Sequence, residues 1–319
     1  MSWDVIIPFL RPIEPFLRDE EISEILVNGS TGVFVEREGC LKEVPGLTLT
    51  EKSLQVAIRN IARVLGDDIS PEQPLLDSRL PDGSRVAAVF PPCAVSGTVL
   101  AIRKFHGQRY TAEALVRGGT LTLEMRERLQ KAVEARQNIL ISGGAGTGKT
   151  TLLGALCAFI APEERIVVIE DTSEIHLEAR NLVRLEARRE QGPVPAVTIR
   201  DLLRTTLRLR PDRVILGEVR GGEAFDLLQA LNTGHSGTLA TLHATSAGQS
   251  LARFTTCVLQ SGVDLPYRAI RSNIGDAVNL LVHIERRQGR RVVTQVYEVR
   301  GYDPALDRYN LEPLFERNA

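Results

Sequence analysis

The sequence has no long apolar run and few cysteines. No stretch approaches the ~20 apolar residues of a transmembrane helix, and charged and proline residues interrupt residues 1–17, unlike the apolar core of a signal peptide. The cysteines are nowhere in C-x-x-C spacing, which excludes the common zinc and dithiol redox motifs. We therefore expect a protein of the reducing cytoplasm that would serve a membrane, if at all, from its cytoplasmic side.

The chain also has no large excess of charge of one sign and is poor in aromatic side chains. The net charge is −1 and aromatic residues make up 5% of the chain. Whole-chain electrostatics therefore favours neither nucleic acid nor an anionic membrane, and a stacking platform for single strands is not predicted. One local basic patch surrounds Gly289. We interpret it as a solvated turn or as a contact for acidic partners or lipid headgroups; it consists of Arg286, Arg287, Arg290 and Arg291.

One glycine-rich segment carries the strongest functional pattern. It fits G-x-x-x-x-G-K-[ST], the P-loop pattern, and lies between a predicted strand at 138–142 and a predicted helix at 150–160. Backbone N–H groups and a helix N-terminus would surround a polyphosphate. Lys149 would reach its β- and γ-phosphates, and the Thr150 hydroxyl would bind Mg²⁺. The pattern predicts that a nucleoside triphosphate is bound by Gly143, Gly144, Ala145, Gly146, Thr147, Gly148, Lys149, Thr150 and Thr151.

The first part of the chain predicts a small α+β domain over residues 1–103. Asn28-Gly29-Ser30 indicates a hairpin turn, and Pro81-Asp82-Gly83 a tight turn. Apolar spacing predicts a helix from Glu51 to Leu65 with Thr50 as its N-cap. Residues 104–120 are typical of a linker with a short helix.

Strands and helices alternate through residues 121–319. The alternation predicts a parallel sheet with helices on both faces, an α/β domain. Three further strands near the C-terminus are expected to be antiparallel. The length agrees with two domains, at roughly 150 residues each.

Two predicted strands of this second part end in acidic residues. The apolar strand from Arg213 ends in Gly217-Glu218, the layout of a Walker B strand with glycine at the usual aspartate position. Glu218 must therefore act near the metal, polarise the attacking water, or both. Glu170 and Asp171 end another strand and could complete the Mg²⁺ shell or orient water. Alternatively, Asp171 caps the following turn.

Two histidines flank one short predicted strand. His235 and His243 could sense a γ-phosphate through hydrogen bonds, or either could be a buried histidine without such a role. Neither has a partner at i,i+4, which argues against a zinc site. The other histidines, His106, His176 and His283, lack such a context and are interpreted as incidental.

Five segments in this order resemble the type II/type IV secretion ATPase superfamily, most of all its conjugal-transfer and Tad-pilus branch. They are residues 79–86, the P-loop, Glu170-Asp171, and residues 208–221 and 232–243. The cysteine-rich zinc insertion of the type II secretion branch is lacking. The resemblance implies a RecA-like P-loop ATPase domain preceded by a PAS-like α+β domain, with ATP and Mg²⁺ as cofactors.

The resemblance also implies roles for individual residues. Glu218 matches the catalytic glutamate, and His235 and His243 match histidines thought to sense the nucleotide state. Arg85 and Arg103 match arginines that approach the phosphates, where an arginine finger can contribute ~10³–10⁵ in rate; alternatively, either is a surface charge. Arg220 is a further candidate for a contact across a subunit boundary. Glu170 joins Lys149 and Glu218 among the expected catalytic residues, and the metal ligands are expected to be Thr150, Glu170 and Glu218.

The family further implies a cytoplasmic ATPase at the inner face of the cytoplasmic membrane. Six copies would form a ring that couples hydrolysis to domain motion about the 104–120 linker. The ring would work with inner-membrane platform or channel proteins in secretion, conjugation or pilus assembly, with peripheral membrane contact possible and no direct nucleic acid. The alternative is a nucleic-acid-dependent motor such as a helicase or DNA translocase. A scaffold without turnover is a third interpretation, against which Glu218 argues.

Overall fold

The computed structural model describes residues 7–29, 32–37, 39–80, 82–104, 110–190 and 194–317. The chain separates into two compact units, Met1–Gln108 and Arg109–Ala319. Ser30 and Pro81 of the two predicted turns, His106, and the linker residues 105–109 lie outside the described residues.

The first unit contains a six-stranded antiparallel sheet in the order β3-β2-β1-β6-β5-β4. Two 3₁₀ turns, Ile7–Phe9 and Arg11–Ile13, precede its short helix α1 and its longer helix α2. The bounds are α1 Glu14–Arg18, β1 Ile22–Asn28, β2 Gly32–Arg37, β3 Cys40–Glu43, α2 Glu51–Val64, β4 Leu75–Arg79, β5 Arg85–Val89 and β6 Val99–Arg103.

Helix α2 forms where its cap and apolar spacing predict it. The Thr50 side chain accepts a hydrogen bond from the backbone N–H of Ser53 at 3.1 Å, which satisfies one of the free donors of the first turn. Leu54, Ile58 and Ile61 are fully buried and belong to the same apolar cluster as inward-facing residues of the sheet. The predicted apolar stripe is confirmed as part of this unit's core.

The second unit is built on an eight-stranded mixed sheet in the order β14-β13-β12-β7-β11-β10-β8-β9. The strands from β12 to β9 in this order are parallel, and β13 and β14 are antiparallel. The strands are β7 Ile139–Ser142, β8 Ile166–Glu170, β9 Leu182–Glu186, β10 Arg213–Val219, β11 Leu239–Leu242, β12 Leu280–Arg287, β13 Arg290–Asp303 and β14 Arg308–Glu316.

Helices cover both faces of this sheet, as predicted. Helices α3, α4 and α5 contribute to one apolar cluster, and α6 to α9 to a second cluster. Their bounds are α3 Ala112–Arg117, α4 Leu123–Glu134, α5 Lys149–Cys157, α6 Ile199–Thr206, α7 Glu223–Asn232, α8 Ala247–Leu259 and α9 Tyr267–Ala277. The α/β class of the second unit is thereby confirmed.

Part of the predicted linker is packed into the second unit. Leu115 and Leu121 are buried in the cluster that contains α5, and the carbonyl of Thr120 accepts a hydrogen bond from the N–H of Val293 at 2.9 Å. The segment from Thr111 to Leu121 is therefore held by the core of this unit.

The parallel strands bring distant segments to one edge of the sheet, because their carboxyl ends meet there. The P-loop follows β7, Glu170 ends β8, Glu218 lies in the last residues of β10, and His243 follows β11. Sheet order therefore assembles side chains up to 94 positions apart.

Across the residues that the structure describes, no helix combines the length and the apolarity needed to cross a membrane.

Candidate nucleotide site

The P-loop, residues 143–150, adopts backbone conformations that require glycine. Gly146 and Gly148 have φ values of +67° and +95°, in the left-handed region that L side chains rarely enter. A Cβ on Gly143 would lie 2.2 Å from the carbonyl oxygen of Ile284. Gly148 is also the N-cap of α5, so the free N–H groups of the first helical turn face the loop, an arrangement that favours an anion.

Lys149 is 7% exposed, and its ammonium group lies over the loop. Its Nζ donates to the carbonyl of Gly144 at 2.8 Å and to that of Gly143 at 3.2 Å, and it lies 3.3 Å from Nδ1 of His243. Burial lowers the pKa of Lys149, while the nearby Glu218 opposes this effect. The site thus holds a desolvated cation beside the N-terminus of α5.

His243 connects this cation to the acid of β10. Its Nε2 lies 3.1 Å from Oε1 of Glu218. Burial, followed by the charge of Lys149, lowers the pKa of His243, which favours the neutral imidazole. A neutral ring with Nδ1 accepting from Lys149 and Nε2–H donating to Glu218 satisfies both contacts. The three side chains form one hydrogen-bonded chain.

Arg220 closes the cluster on the other side of Glu218. Its Nε and Nη2 lie 3.0 Å and 3.1 Å from the two carboxylate oxygens of Glu218, and its Nη1 lies 3.0 Å from Oδ2 of Asp171. The hydrogen bond to Glu218 is the main cause of the raised pKa of Arg220. Arg220 therefore contacts acids of its own subunit and orients the carboxylate of Glu218.

Glu170 occupies the space that a Walker B aspartate side chain would need. A Cβ on Gly217 would come within 2.9 Å of Cγ of Glu170, which explains glycine at that position. One oxygen of the buried Glu170 accepts the N–H groups of Glu174 and Ile175 at 2.8 Å and 2.9 Å. Burial raises its pKa above the ordinary carboxyl value despite these bonds. Glu170, rather than Asp171, thus holds the turn after β8.

The residues at this edge fit a magnesium ion bound together with a nucleotide. Among the described residues, no group of three or more His, Cys, Asp or Glu side chains is arranged to hold a metal. Mg²⁺ in nucleotide sites needs only one or two carboxylates, since phosphate oxygens and water supply the rest. Thr150 in the first turn of α5 and Glu218 at the end of β10 offer a hydroxyl and a carboxylate.

The second predicted histidine does not join this cluster. His235 precedes β11, whereas His243 follows it. The four residues of β11 separate the two by about 13 Å of extended chain. Nδ1 of His235 is buried and has no hydrogen-bond partner among the described residues. The hypothesis that both histidines contact one γ-phosphate is therefore not supported within a single subunit, because they lie at opposite ends of the central strand β11.

Two residues lie beside the P-loop although the sequence did not predict them there. His283 on β12 is buried, with its Nδ1 2.9 Å from Oγ of Ser142, the residue before the loop. Arg291 on β13 reaches Gly148: a Cβ on that glycine would lie 3.2 Å from Cδ of the arginine. Both proximities arise from strand order, which no local pattern reveals.

The predicted arginines of the first unit lie side by side on its sheet. Arg85 and Arg103 are directly opposite each other on β5 and β6, and Arg79 is opposite Arg85 on β4. Nε and Nη2 of Arg85 each donate to an oxygen of Asp77 at 2.7 Å, and Arg103 lies 3.6 Å from Glu24. No role was predicted for Arg79. A contact of Arg85 or Arg103 with phosphate stays a prediction.

The family model described as "Type II/IV secretion system protein" matches residues 10–300. Conjugal transfer protein TrbB of Rhizobium radiobacter is 36% identical over 290 residues, which cover 90% of this chain and 86% of that protein. Type IV secretion system protein PtlH of Bordetella pertussis is 37% identical over 317 residues, covering 91% and 93%.

A solved structure agrees with these relatives. The crystal structure of the VirB11 ATPase from the Brucella suis type IV secretion system, in complex with sulphate, is 32% identical in sequence to this chain. The match covers 92% of this chain and 94% of that one, with a TM-score of 0.50.

Proposed function

The chain belongs to the type II/IV secretion system protein family, and on this premise we propose how its residues hydrolyse ATP and what the hydrolysis drives. The chain is an ATPase of secretion machinery, which converts ATP and water to ADP and phosphate. The observation that supports the detailed assignment is the hydrogen-bonded chain Lys149–His243–Glu218 beside the P-loop. A nucleic-acid motor is not favoured.

The P-loop binds the polyphosphate of ATP. Its N–H groups and those at the N-terminus of α5 donate hydrogen bonds to the α- and β-phosphates, and Lys149 exchanges its bonds to Gly143 and Gly144 for bonds to the β- and γ-phosphates. Thr150 and Glu218 would hold Mg²⁺, which when bound supplies positive charge to neutralise the phosphates. Glu170 would contribute through its second carboxylate oxygen, since the first accepts two backbone N–H groups.

Glu218 positions the attacking water and accepts its proton. Its carboxylate stands at the end of β10 and is oriented by Arg220 and His243. Movement of the Lys149 ammonium toward a γ-phosphate removes the donor from Nδ1 of His243. The hydrogen bond between His243 and Glu218 then depends on whether a γ-phosphate is bound.

The work of this reaction is mechanical. Six copies form a ring, Arg85 and Arg103 approach the phosphates, and the hinge belongs to the predicted 104–120 linker, before the part from Thr111 onward that packs into the second unit. The ring lies at the inner face of the cytoplasmic membrane and drives an inner-membrane platform or channel complex. The named relatives, a conjugal transfer protein and a type IV secretion system protein, support an export machine as the partner.

Substitutions at the two ends of the hydrogen-bonded chain test this proposal. We expect Lys149→Ala to lose nucleotide binding and at least about a hundredfold of the steady-state ATPase rate. Glu218→Gln should keep ATP binding and lose about 10²–10⁴-fold in turnover, because the amide cannot accept the proton of water. ATPase assays and titration with fluorescent ADP measure both effects.

Exposed residues of α4 provide matched controls. Lys131→Ala and Glu127→Gln make the same chemical changes on the surface of the same unit and should leave both readouts unchanged. Normal turnover by Lys149→Ala or Glu218→Gln would refute the assignment.

A further inference from the structure

The tip of the β12–β13 hairpin brings an arginine against the P-loop. A Cβ on Gly148 would lie 3.2 Å from Cδ and 3.9 Å from Nε of Arg291. The Arg291 side chain is exposed, and no hydrogen bond or ion pair holds it to any residue in the part of the chain that the structure describes. Its guanidinium group is thus within reach of an anion bound at the start of α5.

Strand alternation places Arg291 on the face of the hairpin that covers α5. Val293, two residues further along β13, is fully buried in the apolar cluster that includes Leu152 of α5. Cδ1 of Ile284, on the adjacent strand β12, lies 3.7 Å from the same Cβ position of Gly148. Arg291 therefore continues an apolar row that packs on α5 and ends at the N-terminus of that helix. Arg290 projects to the opposite face, since successive residues of a strand alternate.

Electrostatics also favours an anion at this point. Arg286 on β12 lies directly opposite Arg291, and like charges directly opposite each other destabilise a strand pair. The N-terminus of α5 adds a further partial positive charge. An acidic neighbour on the hairpin, Glu285, is bound to Arg287 at 2.6 Å and lies on the other face. A bound phosphate would place an anion beside Arg291 and the N-terminus of α5.

Sheet order determines which phosphates Arg291 can reach. The strands run in the order β12-β7-β11-β10, so the hairpin borders the P-loop strand β7 on the side away from Glu218 and His243. The γ-phosphate belongs on the side of Glu218. Gly148 forms part of the cradle for the α- and β-phosphates, and Arg291 stands beside it.

We propose that Arg291 binds the α- and β-phosphates of the nucleotide held by the P-loop, as a second cation besides Lys149. This inference rests on the proposed ATP site and adds a residue that the family motifs do not contain. The hairpin arginines are then divided by function: Arg291 serves the nucleotide of its own subunit, and Arg290 faces solvent.

The test compares nucleotide binding by the full chain and its variants, with ADP·Mg²⁺ and a non-hydrolysable ATP analogue as probes. We expect Arg291→Ala to weaken binding of both probes roughly tenfold, because both contain the α- and β-phosphates and a charge-assisted hydrogen bond is lost. The KM for ATP should rise in the same direction. Arg291→Lys should retain part of the affinity.

Two comparisons separate the possible outcomes. Arg290→Ala, the neighbouring arginine on the opposite face, should bind both probes like the unmodified chain; an equal loss in Arg290→Ala would show a general charge effect and overturn the proposal. Unchanged ADP affinity of Arg291→Ala, while Lys149→Ala fails to bind, would also overturn it and leave the ATP site intact. Undiminished binding by Lys149→Ala would instead refute the ATP site itself. Melting curves without nucleotide verify that each variant is folded.

Discussion

Replacing Arg213 with methionine should destabilise the second unit by about 3–5 kcal/mol. The Arg213 side chain is 1% exposed, at the first residue of β10. Its Nε and Nη2 contact the two carboxylate oxygens of Glu164 at 2.7 Å and 3.1 Å, and its guanidinium group donates to the carbonyls of Gly237 and Val133 at 3.1 Å and 2.7 Å.

The magnitude follows from what the substitution leaves behind. Methionine fills much of the volume but donates no hydrogen bond, so two buried carbonyls lose a partner and the carboxylate of Glu164 loses its buried counter-ion. Breaking a buried pair by removing one partner typically costs 3–5 kcal/mol. Nη2 of Arg136 lies 2.8 Å from Oε2 of Glu164 and still offsets part of the charge of that carboxylate. The expected loss therefore lies in the lower half of this range. For a unit of this size the melting temperature should fall by roughly 10 °C.

Thermal and urea unfolding of the full chain, followed by circular dichroism, measure the effect. Arg204→Met is the matched control, because Arg204 is exposed and its partner Asp226 also contacts Arg200 at 2.6 Å. This control should lose less than about 1 kcal/mol. A loss in Arg213→Met no larger than in Arg204→Met would refute the view that a buried arginine stabilises the start of β10.

Two further predictions concern the site itself. Because burial and the charge of Lys149 lower the pKa of His243 from its ordinary value of 6.5, turnover should stay constant as pH falls from neutrality to that value and decline at lower pH, where the protonated ring pairs with Glu218 and makes its carboxylate a weaker proton acceptor. A His243→Gln variant should lack that acidic decline in kcat, and an identical pH profile would contradict the role of the imidazole. Gly217→Asp should lower both the melting temperature and the ATPase rate, because its Cβ meets Glu170 at 2.9 Å and overpacking costs about 1–3 kcal/mol. Combining it with Glu170→Ala should restore part of the stability, and a failure to do so would place the conflict elsewhere.

The fold was predictable wherever local pattern and packing agree. The cap of α2 and the P-loop between a strand and a helix lie where the sequence predicts them, and the parallel core is confirmed. The expectation that all three C-terminal strands are antiparallel is wrong for β12, which pairs with β7 in parallel, whereas β13 and β14 are antiparallel. Strands β3 and β4 and helix α9 were missed. The residues of β3 are all exposed, and α9 contains a glycine that packs against the backbone of Tyr302. Such elements are stabilised by neighbours distant in sequence rather than by their own apolar periodicity.

The sequence by itself determined the nucleotide-binding loop, the acid at the end of β10 and the α/β class of the second unit. These features are local: glycines that permit left-handed backbone, a buried strand before them and a helix after them suffice to predict the loop.

The tertiary structure alone decided which side chains share the site. It joined Lys149 to His243 and Glu218, and it placed His235 at the other end of β11. It also buried Arg213 and set Arg291 beside Gly148. Each of these depends on strand order and register between segments far apart in the chain, which no local pattern encodes.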